Sequence, residues 1–299
     1  MRVAVAGSSG FIGTALVAGL SAAGHEVVRL VRHRPAAANE AQWDPEQGVV
    51  PLARLAGVEA VVHLGGINVG SRRWTRRFKK QLHHSRIRST TVLASALTGL
   101  ATRPRVFVSA SAMGFYGPDR GREVLDEESE PGDGFLARLC QDWEHAAAPA
   151  RAADIAVCHP RFGLVIGPGG GALKPLLPLF RLGLGGHFGT GEQFWSPVSL
   201  HDVVRALRFM VEQHGCVGPY NVCCPAPVSN GEFSRVLADE LHRPRLLPVP
   251  GIGLQVALGE ASSELLGSLR ILPTRLTEAG FAFDHPDTRA IIKAALPRN

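Results

Sequence analysis

The most constraining stretch of the chain is its first, MRVAVAGSSGFIGTALVAGL. An apolar run at 3–6 passes straight into glycines at 7, 10 and 13. A helical pattern over 11–23 follows, with Phe11, Ala15 and Ala18 expected on its inner side. Strand, tight turn and helix in that register suit one task. Gly7 takes the turn, Gly10 lets a pyrophosphate approach the backbone, and Gly13 lets the helix lie close on the strand. The helix N-terminus then offers free N–H groups to the anion, with Ser9, Phe11 and Ile12 beside it. A glycine-rich turn without a ligand is the plainer alternative, and the strand and helix on either side argue against it.

The same rhythm continues. Strand-like runs at 26–31, 60–64, 106–109 and 155–159 alternate with helical patterns at 72–100 and 134–153. Near-continuous apolar strands separated by helices imply an α/β, doubly wound parallel sheet covered on both faces, a Rossmann architecture. After residue 165 the texture changes to GPGGG at 167–171 and LGLGGHFGTG at 182–191, followed by a helix at 201–212, a strand at 219–223 and a helix at 230–241. We therefore expect a nucleotide-binding domain over 1–165 and an interwoven, smaller substrate lobe over 166–299, the latter including a small C-terminal domain at about 245–295. A chain of 299 residues with 45% hydrophobic content can bury such a core.

The second strand tells one dinucleotide from another. An NAD site usually presents an acid to the ribose at that strand's end, about 20 residues after the glycines. Here the end reads Leu30-Val31-Arg32-His33-Arg34, with no carboxylate. Guanidinium groups suit a 2′-phosphate, so NADP is the expected cofactor, with Arg32 and His33 in contact. The alternative is an ordinary solvated basic loop. Leu64, Gly65 and Gly66 end the fourth strand with small residues that let backbone pass close to the adenosine, and Ser109 and Arg161 are also placed among the cofactor contacts.

Charge is concentrated in one place. The net charge is +6, yet eight of the 32 basic residues lie in 71–90, where no acid occurs, leaving 24 basic against 26 acidic residues elsewhere. Trp74, Phe78, Leu82, Ser85, Ser89, Leu93, Ala96 and Leu100 form a stripe at helical spacing, so most of these basic residues read as a solvated face. Arg86 borders the stripe and is expected to reach the cofactor. No nucleic-acid partner is expected, because the aromatics serve the core.

Five cysteines without a CxxC pair suit reduced thiols and predict neither a disulfide nor a metal site. Glycines interrupt the apolar N-terminus, and no run approaches the roughly 18 apolar residues a membrane span needs. A cytoplasmic protein without membrane partners is expected.

GSSGFIG at 7–13, HLGG at 63–66, VFVSASAMGFYG at 106–117 and HPRFGLVIGP at 159–168 resemble the extended short-chain dehydrogenase/reductase superfamily. RRWT at 72–75, GGGALKPLLPLFRLGLGG at 169–186, HRPRLLPVP at 242–250 and LTEAGFAFDHP at 276–286 are similar to its YfcH-like epimerase/dehydratase-related members, which end in a C-terminal domain of unassigned function. The resemblance implies a NADP-binding fold with nucleotide contacts at Gly7, Gly10, Phe11, Ile12, Gly13, Arg32, His33, Leu64, Gly65 and Arg86. It also implies a hydrogen-bonding role toward the reacting carbonyl or hydroxyl for Ser111.

The chemistry departs from the superfamily. Its usual acid is a Tyr with a Lys four residues on. The two tyrosines here, Tyr116 and Tyr220, are followed at that distance by Arg120 and Cys224, and the helix that should carry the dyad offers Phe135 with Leu139 or Leu136 with Cys140. Two functions stay open: an oxidoreductase or epimerase on an unidentified small molecule with substitute groups, or an NADP(H)-binding sensor or scaffold without catalysis. For the first, Ser111 and Tyr116 are the catalytic candidates, with Arg161 and Lys174 as further acid–base groups. Tyr116 as a packing ring is the plainer alternative. The glycine loop before Lys174 is read as either a substrate lid or a flexible connection. Relatives carry an aromatic and a His where this chain has Pro197 and Ser199, and Asp202 reads as a helix-start residue favoured by the dipole.

Overall fold

A computed structural model describes residues 1–244 and 248–296. Strand β1 (Arg2–Ala6), helix α1 (Phe11–Ala22), strand β2 (Glu26–Val31), the short strand β3 (Glu40–Gln42), helix α2 (Leu52–Leu55), strand β4 (Ala60–His63) and the long helix α3 (Arg76–Thr98) form the first half of the nucleotide-binding fold. Strands β5 (Val106–Ser109), β6 (Ser111–Ala112) and β7 (Val124–Leu125) follow, then helices α4 (Phe135–His145) and α5 (Ala148–Ala152), and strand β8 (Ala156–Phe162). The expected helix over 134–153 is two helices, because Pro149 lacks the N–H that would continue the first and opens the second. The three-residue strand β3 carries too little periodicity to be read from sequence.

The lobe that follows contains β9 (Leu164–Gly167), β10 (Gly170–Gly171), α6 (Leu177–Arg181), β11 (Phe194–Trp195), β12 (Pro197–Ser199), α7 (Leu200–Glu212), β13 (Gly218–Val222), β14 (Val228–Ser229) and α8 (Asn230–Glu240). Its terminal part contributes α9 (Gly251–Leu258), α10 (Ser263–Leu266), β15 (Arg270–Ile271), α11 (Thr274–Glu278) and α12 (Thr288–Ala295).

The main sheet runs β13-β8-β5-β4-β1-β2-β3, with every pair parallel and β6 continuing the place of β5 beside β8. Alternation along β1 divides the core. Val3 and Val5 pack with Leu16, Leu20 and Leu207 on one face, whereas Ala4 and Ala6 pack with Leu93, Leu97 and Phe107 on the other. The inner face of α1 is Gly13, Leu16 and Leu20, and Ala18 is exposed, which corrects the expected Phe11, Ala15 and Ala18 face. The chain returns to this sheet after residue 165, because α7 lies against α1 and β13 pairs with β8. A second core around Phe180, Phe188, Trp195, Phe233 and Leu237 also takes Ile291 and Ile292 from α12, so the terminal segment shares the lobe's core. No helix among the described residues is long and apolar enough to cross a membrane.

Candidate nucleotide and substrate site

The sheet order reverses direction between β1 and β4, and the carboxyl ends of these strands meet. Leu64 N–H donates to the Ala6 carbonyl at 2.9 Å. Gly7 sits at φ +78°, and a Cβ there would fall 2.8 Å from the Leu64 carbonyl carbon, so only glycine fits the turn. A Cβ on Gly13 would collide with the Gly7 carbonyl oxygen, the close helix-to-turn packing read from the sequence. Gly10 caps α1 with no side-chain hydrogen bond, and the first turn holds no acid, so the positive end of the helix dipole is left for an anion. Ser9 and Gly10 are exposed beside it.

Phe11 has a second role that the sequence did not disclose. Side chains at Gly170 or Gly171 would strike its ring, so the glycine run is required for the β9–β10 hairpin to lie against the mouth of the nucleotide loop. Lys174, just beyond, is exposed.

At the end of β2, Arg32, His33 and Arg34 are all exposed. The acid nearest to them along the chain is Glu40, which accepts from Ala36 N–H at 2.8 Å and from Arg29 Nη1 at 2.9 Å. The Ala36 N–H, with help from Arg29, holds its carboxyl below the usual carboxylate range. That carboxylate is committed to its own loop.

Arg86 is buried. It donates from Nη2 to the Ile67 carbonyl at 2.9 Å and from Nη1 to the Leu82 carbonyl at 3.2 Å, and its guanidinium lies 4.9 Å from the Trp143 ring centre. A Cβ on Gly66 would sit 3.1 Å from Arg86 Cζ. This guanidinium thus props the loop that follows β4, the loop whose Leu64, Gly65 and Gly66 the sequence reading placed beside the cofactor. Beside it, His63 shares a 2.9 Å hydrogen bond with Ser89 Oγ, and burial pushes the imidazole down to about 4.

Beyond β5 the candidate catalytic residues join one buried network. Ser111 Oγ donates to Glu144 Oε1 at 2.7 Å, and Glu144 receives two hydrogen bonds from Arg161. Arg161 Nη1 donates to the Tyr116 hydroxyl at 3.0 Å, and that hydroxyl donates to Asn221 Oδ1 at 2.7 Å. Tyr116 is 0% exposed, and burial pushes its phenol up to about 12 despite the nearby Arg161. Its geometry is that of a packing ring with a satisfied hydroxyl, the plainer of the two readings the sequence left open. Arg161 is likewise engaged by Glu144 and Tyr116, with its guanidinium 3.4 Å from the Phe115 ring centre. Ser109 is fully buried, its Oγ without a hydrogen-bond partner among the described residues.

Glu144 and Asn221 were missed from the sequence. Neither sits in a recognisable motif, and their partners lie up to 105 residues away.

Apolar residues line the start of α4, where the superfamily's acid would be sought. Phe135 packs edge-on to Trp74 at 5.5 Å, with Lys79 Nζ 5.3 Å from its ring centre. Lys79 pairs with Glu260 at 2.7 Å, and one turn further on, burial and Glu260 together push Glu264 up to about 7. A cavity of about 530 Å³ opens alongside, between Pro118 and Asp119 on one wall and Gln255, Glu260 and Leu266 on the other. His201, Asp202 and Asp284 also come together, but Asp202 is spent on Arg205, Ser199 Oγ and the N–H groups of Asp284 and His285. Ser199 caps α7, and Asp202 lies in its first turn, the place the sequence reading gave Asp202.

A parallel sheet with this strand order and a glycine turn at the reversal defines a dinucleotide-binding α/β protein of the extended short-chain dehydrogenase/reductase kind. The chain belongs to the NAD dependent epimerase/dehydratase family, whose model matches residues 3–223, and a domain of unknown function, DUF1731, matches 249–295. It is 45% identical over 286 residues to the epimerase family protein Mb2239 of Mycobacterium bovis, covering 95% of this chain and 93% of that one. The structure of the human epimerase family protein SDR39U1 (isoform2) with NADPH superposes with a TM-score of 0.91 at 32% identity over 99% of both chains. A Corynebacterium glutamicum nucleoside-diphosphate sugar epimerase follows at TM-score 0.81 and 34% identity, covering 99% of this chain and 58% of that one.

Proposed function

We propose that the protein binds NADP(H) and uses it as an oxidoreductase or epimerase-type enzyme on a small molecule, without the tyrosine–lysine dyad. The observation that carries the cofactor is the end of β2, where Arg32 and Arg34 are exposed and have no ion pair among the described residues, while Glu40 is spent on Ala36 and Arg29. The uncapped start of α1 fits the pyrophosphate, and the human relative holds NADPH. Bound NADP(H) would supply the hydride chemistry. Ser111 would meet the substrate: its proton is directed at Glu144, so its lone pairs are left to accept from a substrate hydroxyl. The setting is a reducing, cytoplasmic one, consistent with five unpaired thiols.

Calorimetry with NADPH and NADH tests the cofactor. NADPH binds more tightly, and Arg32→Ala with Arg34→Ala weakens it by at least about tenfold while leaving NADH unchanged. Equal affinities in the unaltered protein would refute the choice. A second reading, cofactor binding without turnover, is favoured by the buried Tyr116 and the apolar Phe135 and Leu136. It predicts no NADPH oxidation with any of a panel of aldehydes, ketones and nucleotide sugars. Turnover lost in Ser111→Ala would reject it.

A further inference from the structure

Helix α9, GIGLQVAL, is apolar but for Gln255, and none of its residues is buried. It rests on the lobe core through Leu254, while Ile252 and Val256, one turn apart on the same face, are 74% and 71% exposed. Two aliphatic side chains standing in water on an otherwise well-packed lobe are a feature that folding alone does not account for.

Their surroundings are cationic. Arg73 Nη2 donates to the Val256 carbonyl at 3.2 Å, which joins α9 directly to the start of α3. There Arg72, Arg73, Arg76, Arg77 and Lys80 are exposed, and no ion pair among the described residues holds Arg72, Arg76, Arg77 or Lys80. Four arginines at or just before the positive end of a helix, with no acid in its first turn, repel both the dipole and one another. Water solvates such a cluster, and an anion from outside would relieve the repulsion. On the other side of α9, Val249 N–H donates to the His187 carbonyl, placing the loop with exposed Leu182 and Leu184 beside it. The stretches 71–90, 168–191 and 248–259 contain no Asp or Glu, and the next residue, Glu260, is paired with Lys79.

We infer that this face docks the protein on an anionic phospholipid surface, with Ile252 and Val256 entering the acyl boundary and the arginines meeting lipid phosphates. The combination of aliphatic prongs and a basic rim selects that occupant. A second copy meeting the same face across a two-fold axis would set two basic surfaces against each other, with Glu260 already paired to Lys79. Nucleic acid would take the arginines but leave the aliphatics in water, and Trp74, the aromatic nearest the cluster, is packed on Phe135. The sequence-based expectation of no membrane partner rested on the absence of a spanning run, which surface docking does not need.

The test is co-sedimentation of the full chain with vesicles of phosphatidylcholine alone or mixed with phosphatidylglycerol, at low and at high salt. Binding is expected to the mixed vesicles and to weaken with salt. Replacing Arg72, Arg76 and Arg77 by Ala is expected to lower the partition coefficient by about a hundredfold. Ile252→Ser with Val256→Ser is expected to lower it at least about tenfold, and because both side chains are exposed the variant keeps its fold and NADPH binding. Absence of binding to the mixed vesicles overturns the inference, as does binding unaltered in both variants. A dimer in solution that Ile252→Ser dissociates would assign the face to a second copy. Tighter binding to duplex DNA than to the mixed vesicles, unaffected by Ile252→Ser, would assign it to nucleic acid. Either result overturns the proposal.

Discussion

Arg161 and Glu144 face each other as a two-pronged ion pair, Nε to Oε1 at 2.8 Å and Nη2 to Oε2 at 3.0 Å, between β8 and α4. Around this pair the candidate catalytic residues are arranged, with Ser111 on the carboxylate and Tyr116 on the guanidinium. Arg161 is 4% exposed, so its charge depends on Glu144 for compensation.

Removing the carboxylate with Glu144→Ala is expected to destabilise the fold by about 3–5 kcal/mol, because it strands a buried cation. In a chain of this size that lowers the melting temperature by at least roughly 6 °C. Replacing both partners, Glu144→Leu with Arg161→Met, recovers most of the loss. Thermal denaturation of the two variants beside the parent measures this, and a loss below about 1 kcal/mol in Glu144→Ala would show the pair to be unimportant.

Tyr116→Phe deletes one hydroxyl and leaves Asn221 Oδ1 and Arg161 Nη1 each short of a partner. A cost of about 1–2 kcal/mol in urea unfolding is expected, with NADPH affinity within about twofold of the parent. Loss of NADPH affinity in a folded variant would contradict the structural role assigned to this ring.

Two buried histidines set the acid response. Burial holds His63 and His159 at about 4, against 6.5 for a free imidazole. Between those values the unfolded chain binds protons that the folded chain refuses. Stability from each is complete above 6.5 and falls as the pH drops toward 4, by about 3 kcal/mol apiece. Urea unfolding across this range measures the slope, and His63→Gln is expected to remove about half of it. An unchanged slope would mean that His63 is charged in the fold.

All five cysteines are buried and unpaired. Burial raises every thiol, Cys140 and Cys224 to about 12, so little thiolate exists at neutral pH. A thiol reagent is expected to leave the native protein unlabelled and to modify all five in denaturant. Fast labelling of one thiol without unfolding would reveal an opening near it.

The nucleotide half of the fold was legible because its signals are local. The spacing of Gly7, Gly10 and Gly13 encodes a turn and a close approach within one βα unit, and β2 and β5 were bounded correctly because an apolar strand between polar ends needs no distant partner. Arg32 and Arg34 could be placed at the end of β2 for the same reason. The roles of Arg86, Tyr116, Arg161 and Glu144 were decided elsewhere. A guanidinium on α3 becomes a loop prop only when β4 passes over it, and a phenol becomes a packing ring only when β8 and β13 close around it. Buried polar groups must find partners wherever the chain brings them, and here those partners lie as far as 105 residues away, beyond any sequence spacing.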